Sequence, residues 1–374
     1  MKQYVYADNA ATTKIDRDAY DAMIPYLLDE YGNASQSYAF SRNPKRALRE
    51  AREIIASCIG AFPEEIYFTS GGTESDNWAI KRAVLFDNKK NQIITSAFEH
   101  HAVLHSFETM KRAGCQVEYL QPDSQGEISV SELAKGMDDD TALVSIMLAN
   151  NEIGSIQPIK SLCEYTHSKG ALFHTDAVQA VGHIKIDVKE LGIDFLSASA
   201  HKFNGMKGCG FLYIRNGCKL NPYMDGGSQE FGLRAGTENI PGIVCMATAL
   251  RNNCMRLLEN QENIRNLERY LLKSLSDEGI SYIRNGGGST LPGLISLSFL
   301  GADGEAILHR MDLMGICIST GSACNSKDTE ISHVLKAIGL DEKYARGTIR
   351  ISLGKNNTIE DVKKIVSGLK KILK

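Results

Sequence analysis

From about residue 60 to residue 215, short apolar runs alternate with longer stretches of helical period, and that alternation leaves few folds open. The runs read IYFT (66–69), QIITS (92–96), QVEYL (116–120), ALVSIML (142–148), ALFHTD (171–176), DFLSAS (194–199) and CGFLYI (209–214). Several are continuous Val/Ile/Leu/Phe segments, the pattern of strands covered on both faces. Helical candidates fall between them at 73–88, 100–113, 131–137 and 158–169. A β-α repeat of this kind builds an α/β sheet, mostly parallel, through right-handed crossovers. Residues 237–280 read as helix-rich. After the NGGGS loop (285–289) comes a smaller α+β region: LISLSFL, a helix near 304–313, GICIS, IRISL and a closing basic helix at 359–373. A chain of 374 residues exceeds what one core usually supports, so a large unit with a smaller one is expected. The first 14 residues are too short to fold alone and must pack on another part of the chain.

Charge narrows the function classes. Lys and Arg number 42 and Asp and Glu 45, a net charge of −3, which argues against a protein that neutralises nucleic-acid phosphate. No apolar run approaches the ~20 residues a bilayer crossing needs. The opening MKQYVYADNAATT lacks a basic n-region and an apolar h-region, so a soluble, cytoplasmic protein without membrane attachment is expected. The nine cysteines include no C-x-x-C pair, which argues against a structural zinc site and leaves most of them as small buried apolar residues.

Five stretches carry chemistry. TSGGTESDN (69–77) joins a strand to a helix through Gly71 and Gly72, with Thr73 and Asp76 in the spacing of a capping box, and such a helix N-terminus favours an anion. It is not a P-loop, since no Lys-Ser/Thr follows the glycines. FHTDAVQA (173–180) sets Asp176 at the carboxyl end of a strand, as a ligand-facing carboxylate or as a helix cap. In SASAHKFNGMKG (197–208), Lys202 follows a buried-looking strand, a setting that lowers an ammonium pKa and frees the amine for Schiff-base chemistry. FEHHAV (98–103) offers His100 for stacking or proton movement, and adjacent His101 is expected to point elsewhere. STGSACNSKDTEISHVL (319–335) is rich in small polar residues and carries Cys324, a candidate reactive thiol.

Together these stretches resemble the cysteine desulfurases (NifS/IscS-like), within the class V branch of fold-type I pyridoxal-phosphate enzymes. The resemblance spans essentially the whole chain. It rests on YADNAATT (6–13), FTSGGTESDN (68–77), SAFEHHAVL (96–104), NNEIGSIQPI (150–159), HTDAVQAVG (174–182), SASAHKFNGMKG (197–208), GGSQEFGLRAGTEN (226–239), GSACNS (321–326) and RISLG (350–354). It implies a large cofactor domain over 15–250 with a mainly parallel seven-stranded sheet. A small α+β domain from 1–14 and 251–374 would carry the catalytic-cysteine loop at about 320–333. Lys202 would hold pyridoxal 5'-phosphate covalently, Asp176 would pair with its ring nitrogen, and His100 would stack on the ring and move protons. Gln179 and Asn151 would serve the phenolic oxygen and substrate. The phosphate would be met by Gly72, Thr73, Ser199 and His201, and by Thr237 of a second copy, which implies a homodimer. Arg350 would clamp the carboxylate of L-cysteine, with Asn33 assisting. Cys324 would take the substrate sulfur as a persulfide and deliver it to an acceptor protein of iron–sulfur assembly, tRNA thiolation or another sulfur-transfer route. No metal site is implied, beyond transient ligation of an iron–sulfur cluster by Cys324.

The sequence departs from the family pattern at Ala34, Tyr38, Ser41 and Met206, near the substrate mouth and in a neighbouring turn. A selenocysteine lyase or other β-elimination enzyme on the same fold stands as the nearest alternative, and a non-catalytic scaffold as the alternative of another class. A dinucleotide-binding dehydrogenase is excluded, because no G-x-G-x-x-G follows the first strand.

Overall fold

A computed structural model describes residues 4–84, 90–320 and 331–374. Strand β1 (Val5–Tyr6) is followed by helices α1 (Arg17–Met23), α2 (Pro25–Leu28) and α3 (Arg42–Ile59). The α/β repeat then runs β2 (Ile66–Thr69), α4 (Gly72–Val84), β3 (Gln92–Ser96), α5 (His101–Arg112), β4 (Gln116–Leu120), α6 (Val130–Gly136) and β5 (Thr141–Ser145). It continues through α7 (Ile159–Ser168), β6 (Leu172–Asp176), α8 (Val188–Leu191), β7 (Phe195–Ser199) and β8 (Gly210–Ile214). Helices α9 (Ile240–Met255) and α10 (Leu257–Asp277) lead to β9 (Ile283–Asn285), β10 (Leu294–Ser298), α11 (Gly304–Leu313) and β11 (Ile316–Cys317). The chain ends with α12 (His333–Ala337), α13 (Glu342–Ala345), β12 (Thr348–Ser352) and α14 (Ile359–Leu373).

The seven β2–β8 strands form one sheet in the order β2-β8-β7-β6-β5-β3-β4. β8 runs antiparallel to both its neighbours and every other pairing is parallel. The central strands are buried on both faces, as their continuous apolar runs require. β4 lies at an edge, and its burial alternates along QVEYL. Two expected strands are shorter than the apolar runs that suggested them. ALVSIML (142–148) is strand only to Ser145, beyond which the chain turns into the 147–153 loop. GICIS (315–319) is strand only at Ile316 and Cys317, beyond which Ser319 makes an isolated antiparallel bridge to Arg350. The helix expected at 73–88 starts at Gly72, and its far end lies outside the described residues.

A second sheet, β12-β10-β9, is antiparallel and packs Ile295, Leu297, Ile349 and Ile351 against Leu271 and Leu275 of α10 and Val362, Ile365 and Leu369 of α14. The N-terminal segment does pack on other parts. Val5 and Ala7 join this second core while Ala10 joins the core of the large sheet. The amide of Ala10 donates to Ser352 Oγ at 2.9 Å, so residues 5–10 tie the small sheet to the edge of the large one. Helices α1 and α3 pack on α9 through Ala19, Ala51, Ile55, Ile59, Met246 and Leu250. Among the described residues no helix is long and apolar enough to cross a membrane.

Candidate active site

Strands β2, β3, β5, β6 and β7 all point the same way, so the segments that follow them meet at one edge, where open α/β sheets bind ligands. They enclose a cavity of about 500 Å3. Ten of the residues singled out from the sequence line it: Gly72, Thr73, His100, Asn151, Asp176, Gln179, Ser199, His201, Lys202 and Arg350.

Lys202 ends a short turn after β7, and its Nζ donates to the carbonyls of Ala10 at 2.6 Å and Ala11 at 3.0 Å. Gln179 Nε2 donates to the same Ala10 carbonyl at 2.9 Å. Asp176 is buried at the end of β6 and accepts from the Val178 amide at 2.9 Å. Burial pushes its carboxyl up, and the neighbouring His100 and Lys202 oppose that push. His100 caps α5: its Nδ1 accepts from the Ala102 amide at 3.1 Å, so the neutral ring carries its hydrogen on Nε2. Desolvation lowers its pKa, Asp176 opposes that, and Lys202 lowers it further, which keeps the ring neutral. His201 Nδ1 lies 3.2 Å from Thr12 Oγ1, and burial next to Lys202 and Lys207 lowers it to about 4.

The opposite wall belongs to Arg350 on β12. Its Nη1 donates to the Asn151 carbonyl and its Nη2 to Asp8, each at 2.8 Å. Its Nε is buried without a partner. Arg350 as a residue borders the cavity, and a guanidinium there suits an anionic group of a ligand. At the other end of the cavity the first turn of α4 offers free amides. Gly72 must be glycine, because a Cβ there would lie 2.5 Å from Val178 Cγ2. An anion-binding helix start, a buried carboxylate, a lysine and a flat imidazole fit a ring that bears a phosphate, a basic nitrogen and an aldehyde.

Several expectations change. Asp76 is no cap: it is fully buried in the second turn of α4 and lines the cavity, with Oδ1 3.6 Å from His174 Nε2. His101 lines the cavity as well, stacked on His105 with ring centres 5.2 Å apart and 4.9 Å from the ring of His333. Ala10, Met147, Glu152 and Ser332 were not foreseen in the lining. Asn33 and Thr237 do not line it in a single chain; the Asn33 side chain accepts from the Ser35 amide at 2.9 Å instead. Cys324 lies outside the described residues. The eight other cysteines are unpaired; only Cys163, Cys209 and Cys245 are fully buried, and the rest are half-buried. Among the described residues no group of three or more His, Cys, Asp or Glu is placed to hold a metal.

Residues 5–365 match the family Aminotransferase class-V. The chain belongs to that family. Class-V aminotransferases are pyridoxal-phosphate-dependent, in keeping with the donor set of the cavity. The chain is 45% identical over 371 residues to a cysteine desulfurase IscS of Methanosarcina thermophila, covering 99% of this chain and 92% of that one. Among solved structures, a NifS-like protein superposes with a TM-score of 0.93 at 38% identity, covering 99% of both chains. SspA, solved in complex with cysteine, superposes with a TM-score of 0.84 at 35% identity, over 94% of this chain and 99% of that one.

Proposed function

We propose that this class-V aminotransferase family member is a cysteine desulfurase that uses pyridoxal 5'-phosphate to convert L-cysteine to L-alanine. The observation that carries this reading is the cavity itself, with Lys202, Asp176 and His100 on one side and Arg350 on the other. A relative bearing the cysteine desulfurase name is 45% identical over nearly the whole chain, and a cysteine complex of a similar structure supports the same substrate.

When bound, the cofactor supplies an electron sink for charge that develops on the substrate. Asp176 would hold the ring nitrogen protonated. Gly72, Thr73, Ser199 and His201 would hold the phosphate, Gln179 and Asn151 the ring oxygen and the substrate, and Lys202 the aldehyde carbon. Arg350, held at the cavity by Asn151 and Asp8, would receive the substrate carboxylate. The Lys202 amine would also serve as the base for the substrate α-proton. His100 keeps Nδ1 committed to the helix cap and presents Nε2–H as a donor. The Cys324 thiolate forms an S–S bond to the substrate sulfur as the Cβ–S bond breaks. The electron pair stays with the organic fragment, which takes up protons to leave as L-alanine. Thiol plus L-cysteine thus gives persulfide plus L-alanine, with no external oxidant.

The large unit over 15–250 would hold the cofactor, and the small unit of 1–14 and 251–374 would supply Arg350 and Cys324. A homodimer would complete the site: Thr237 and Asn33 do not line its cavity in one chain, and an open groove of about 420 Å3 runs past Ser70, Gly71 and Lys207 at the phosphate end. The persulfide passes to an acceptor protein. Incubation with 35S-labelled L-cysteine should yield alanine and label the Cys324 peptide, and Cys324→Ser should abolish both. Full alanine production by Cys324→Ser would point instead to a β-elimination or selenocysteine lyase reaction.

A further inference from the structure

Beneath the cavity lie three carboxyl groups with almost no water: Asp76 at 1%, Asp176 at 5% and Glu99 at 0% exposure. Three neighbouring carboxylates cannot all ionise in a dry site. The cations are unevenly shared. Lys202 and His100 face Asp176 and act on it electrostatically. Among the described residues no Lys or Arg is paired with Asp76. What faces it is Asp176 and Glu99, the hydroxyl of Ser197, and the neutral ring of His174, which burial lowers to about 3.

The hydrogen bonds beside Asp76 form a chain whose direction the tautomer of His174 sets. Ser145 Oγ lies 2.8 Å from His174 Nδ1, and His174 Nε2 lies 3.0 Å from Ser197 Oγ. Ser197 in turn hydrogen-bonds the Asp76 carboxyl. With Ser145 donating to Nδ1, Nε2–H donating to Ser197 and Ser197 donating to Asp76, every hydrogen in the chain is used. One oxygen of Asp76 is then satisfied. The other, Oδ1, is buried without a partner, and Asp76 borders the cavity.

We propose that Asp76 is a positioning residue that stands as the protonated partner of Asp176, so that Asp176 is the one ionised carboxylate beneath the cofactor ring. The proton sits on Oδ1, where no donor competes for it. Asp76 does not touch the reacting atoms. It supplies a neutral, rigid backing to Asp176, held by the Ser145–His174–Ser197 chain, and it keeps a second negative charge out of the site. Desolvation and the charge of Asp176 both raise its carboxyl well above the ordinary range. The bearing of this pair on the cofactor rests on the function proposed above; the pair itself does not.

Infrared spectroscopy of the whole protein, with and without pyridoxal 5'-phosphate, tests this. At pH 7.5 the wild type should show the carbonyl stretch of a protonated acid that moves on carboxyl-13C aspartate labelling, survives in Glu99→Gln and is lost in Asp76→Asn. In the loaded protein, Asp76→Asn should leave the pH midpoint of the cofactor absorbance within ~0.2 of wild type, since one neutral group replaces another. Absence of an aspartate-derived band in the wild type, a measurement that needs no variant to fold, overturns the proposal. So does a midpoint displaced by about one unit or more in Asp76→Asn, the size expected when a nearby negative charge is removed. If the protein takes up no cofactor while the band persists in the cofactor-free form, the proposed function fails and the carboxyl pair stands.

Discussion

Replacing Glu99 by glutamine should make the protein increasingly more stable, relative to wild type, as pH rises. Glu99 is fully buried between β3 and α5; its Oε1 accepts from Ser96 Oγ at 2.5 Å and from the Met147 amide at 2.9 Å, while Oε2 has no partner. Burial, only partly offset by those two hydrogen bonds, pushes the carboxyl from 4.5 up to about 8. In the unfolded chain the group ionises near 4.5, so the folded state holds a proton that the unfolded state has released. The contribution is intact below 4.5 and is lost as pH climbs to about 8. At ~1.4 kcal/mol per unit, wild type loses roughly 4 kcal/mol from this group between about pH 5 and pH 9. Glutamine cannot ionise, and any cost of its unpartnered amide is the same at every pH. The difference in melting temperature between Glu99→Gln and wild type should therefore widen by roughly 5 °C across that range. Scanning calorimetry of the cofactor-free protein in a pH series measures it. Parallel curves for the two proteins would refute the reasoning.

Arg52→Ala should lower unfolding stability by roughly 3–5 kcal/mol in chemical denaturation, because it leaves Glu230 buried and charged. The lost pair is two-pronged, at 2.7 and 2.8 Å, and Glu230 also holds the Phe68 amide of β2. Arg350→Lys should raise KM for L-cysteine about 10- to 100-fold in an alanine-release assay, since an ammonium cannot hold Asp8 and Asn151 and still present a free N–H. Asp176→Asn should cut kcat by at least ~100-fold and shift the cofactor spectrum, because the amide holds no charge opposite the ring nitrogen; unchanged turnover would remove Asp176 from the site.

The central sheet was legible because its strands are buried on both faces and read as unbroken apolar runs. The helices Gly304–Leu313 and Ile359–Leu373 fall where their periodicity places them. Helix α3 was not foreseen. Its buried stripe is Ala47, Ala51, Ile55 and Ile59, and alanine gives little contrast against the charged residues around it. Asp76 misled for a geometric reason: the helix begins one residue before Thr73, which moves Asp76 from the cap into the buried second turn. His100 and His101 both reach the cavity because the chain turns from extended (ψ 147) at His100 into helix at His101, so neighbouring side chains do not diverge as they would on regular backbone. Asn33 and Thr237 lie away from the cavity in a single chain, and only spacing against related sequences pointed to them.

The most direct measurement is borohydride reduction of the purified holoprotein followed by peptide mass mapping. A pyridoxyl phosphate adduct fixed on Lys202, absent when excess L-cysteine is present during reduction, is the predicted result. An adduct on another lysine, or none, would contradict the assignment on which the cavity's chemistry depends.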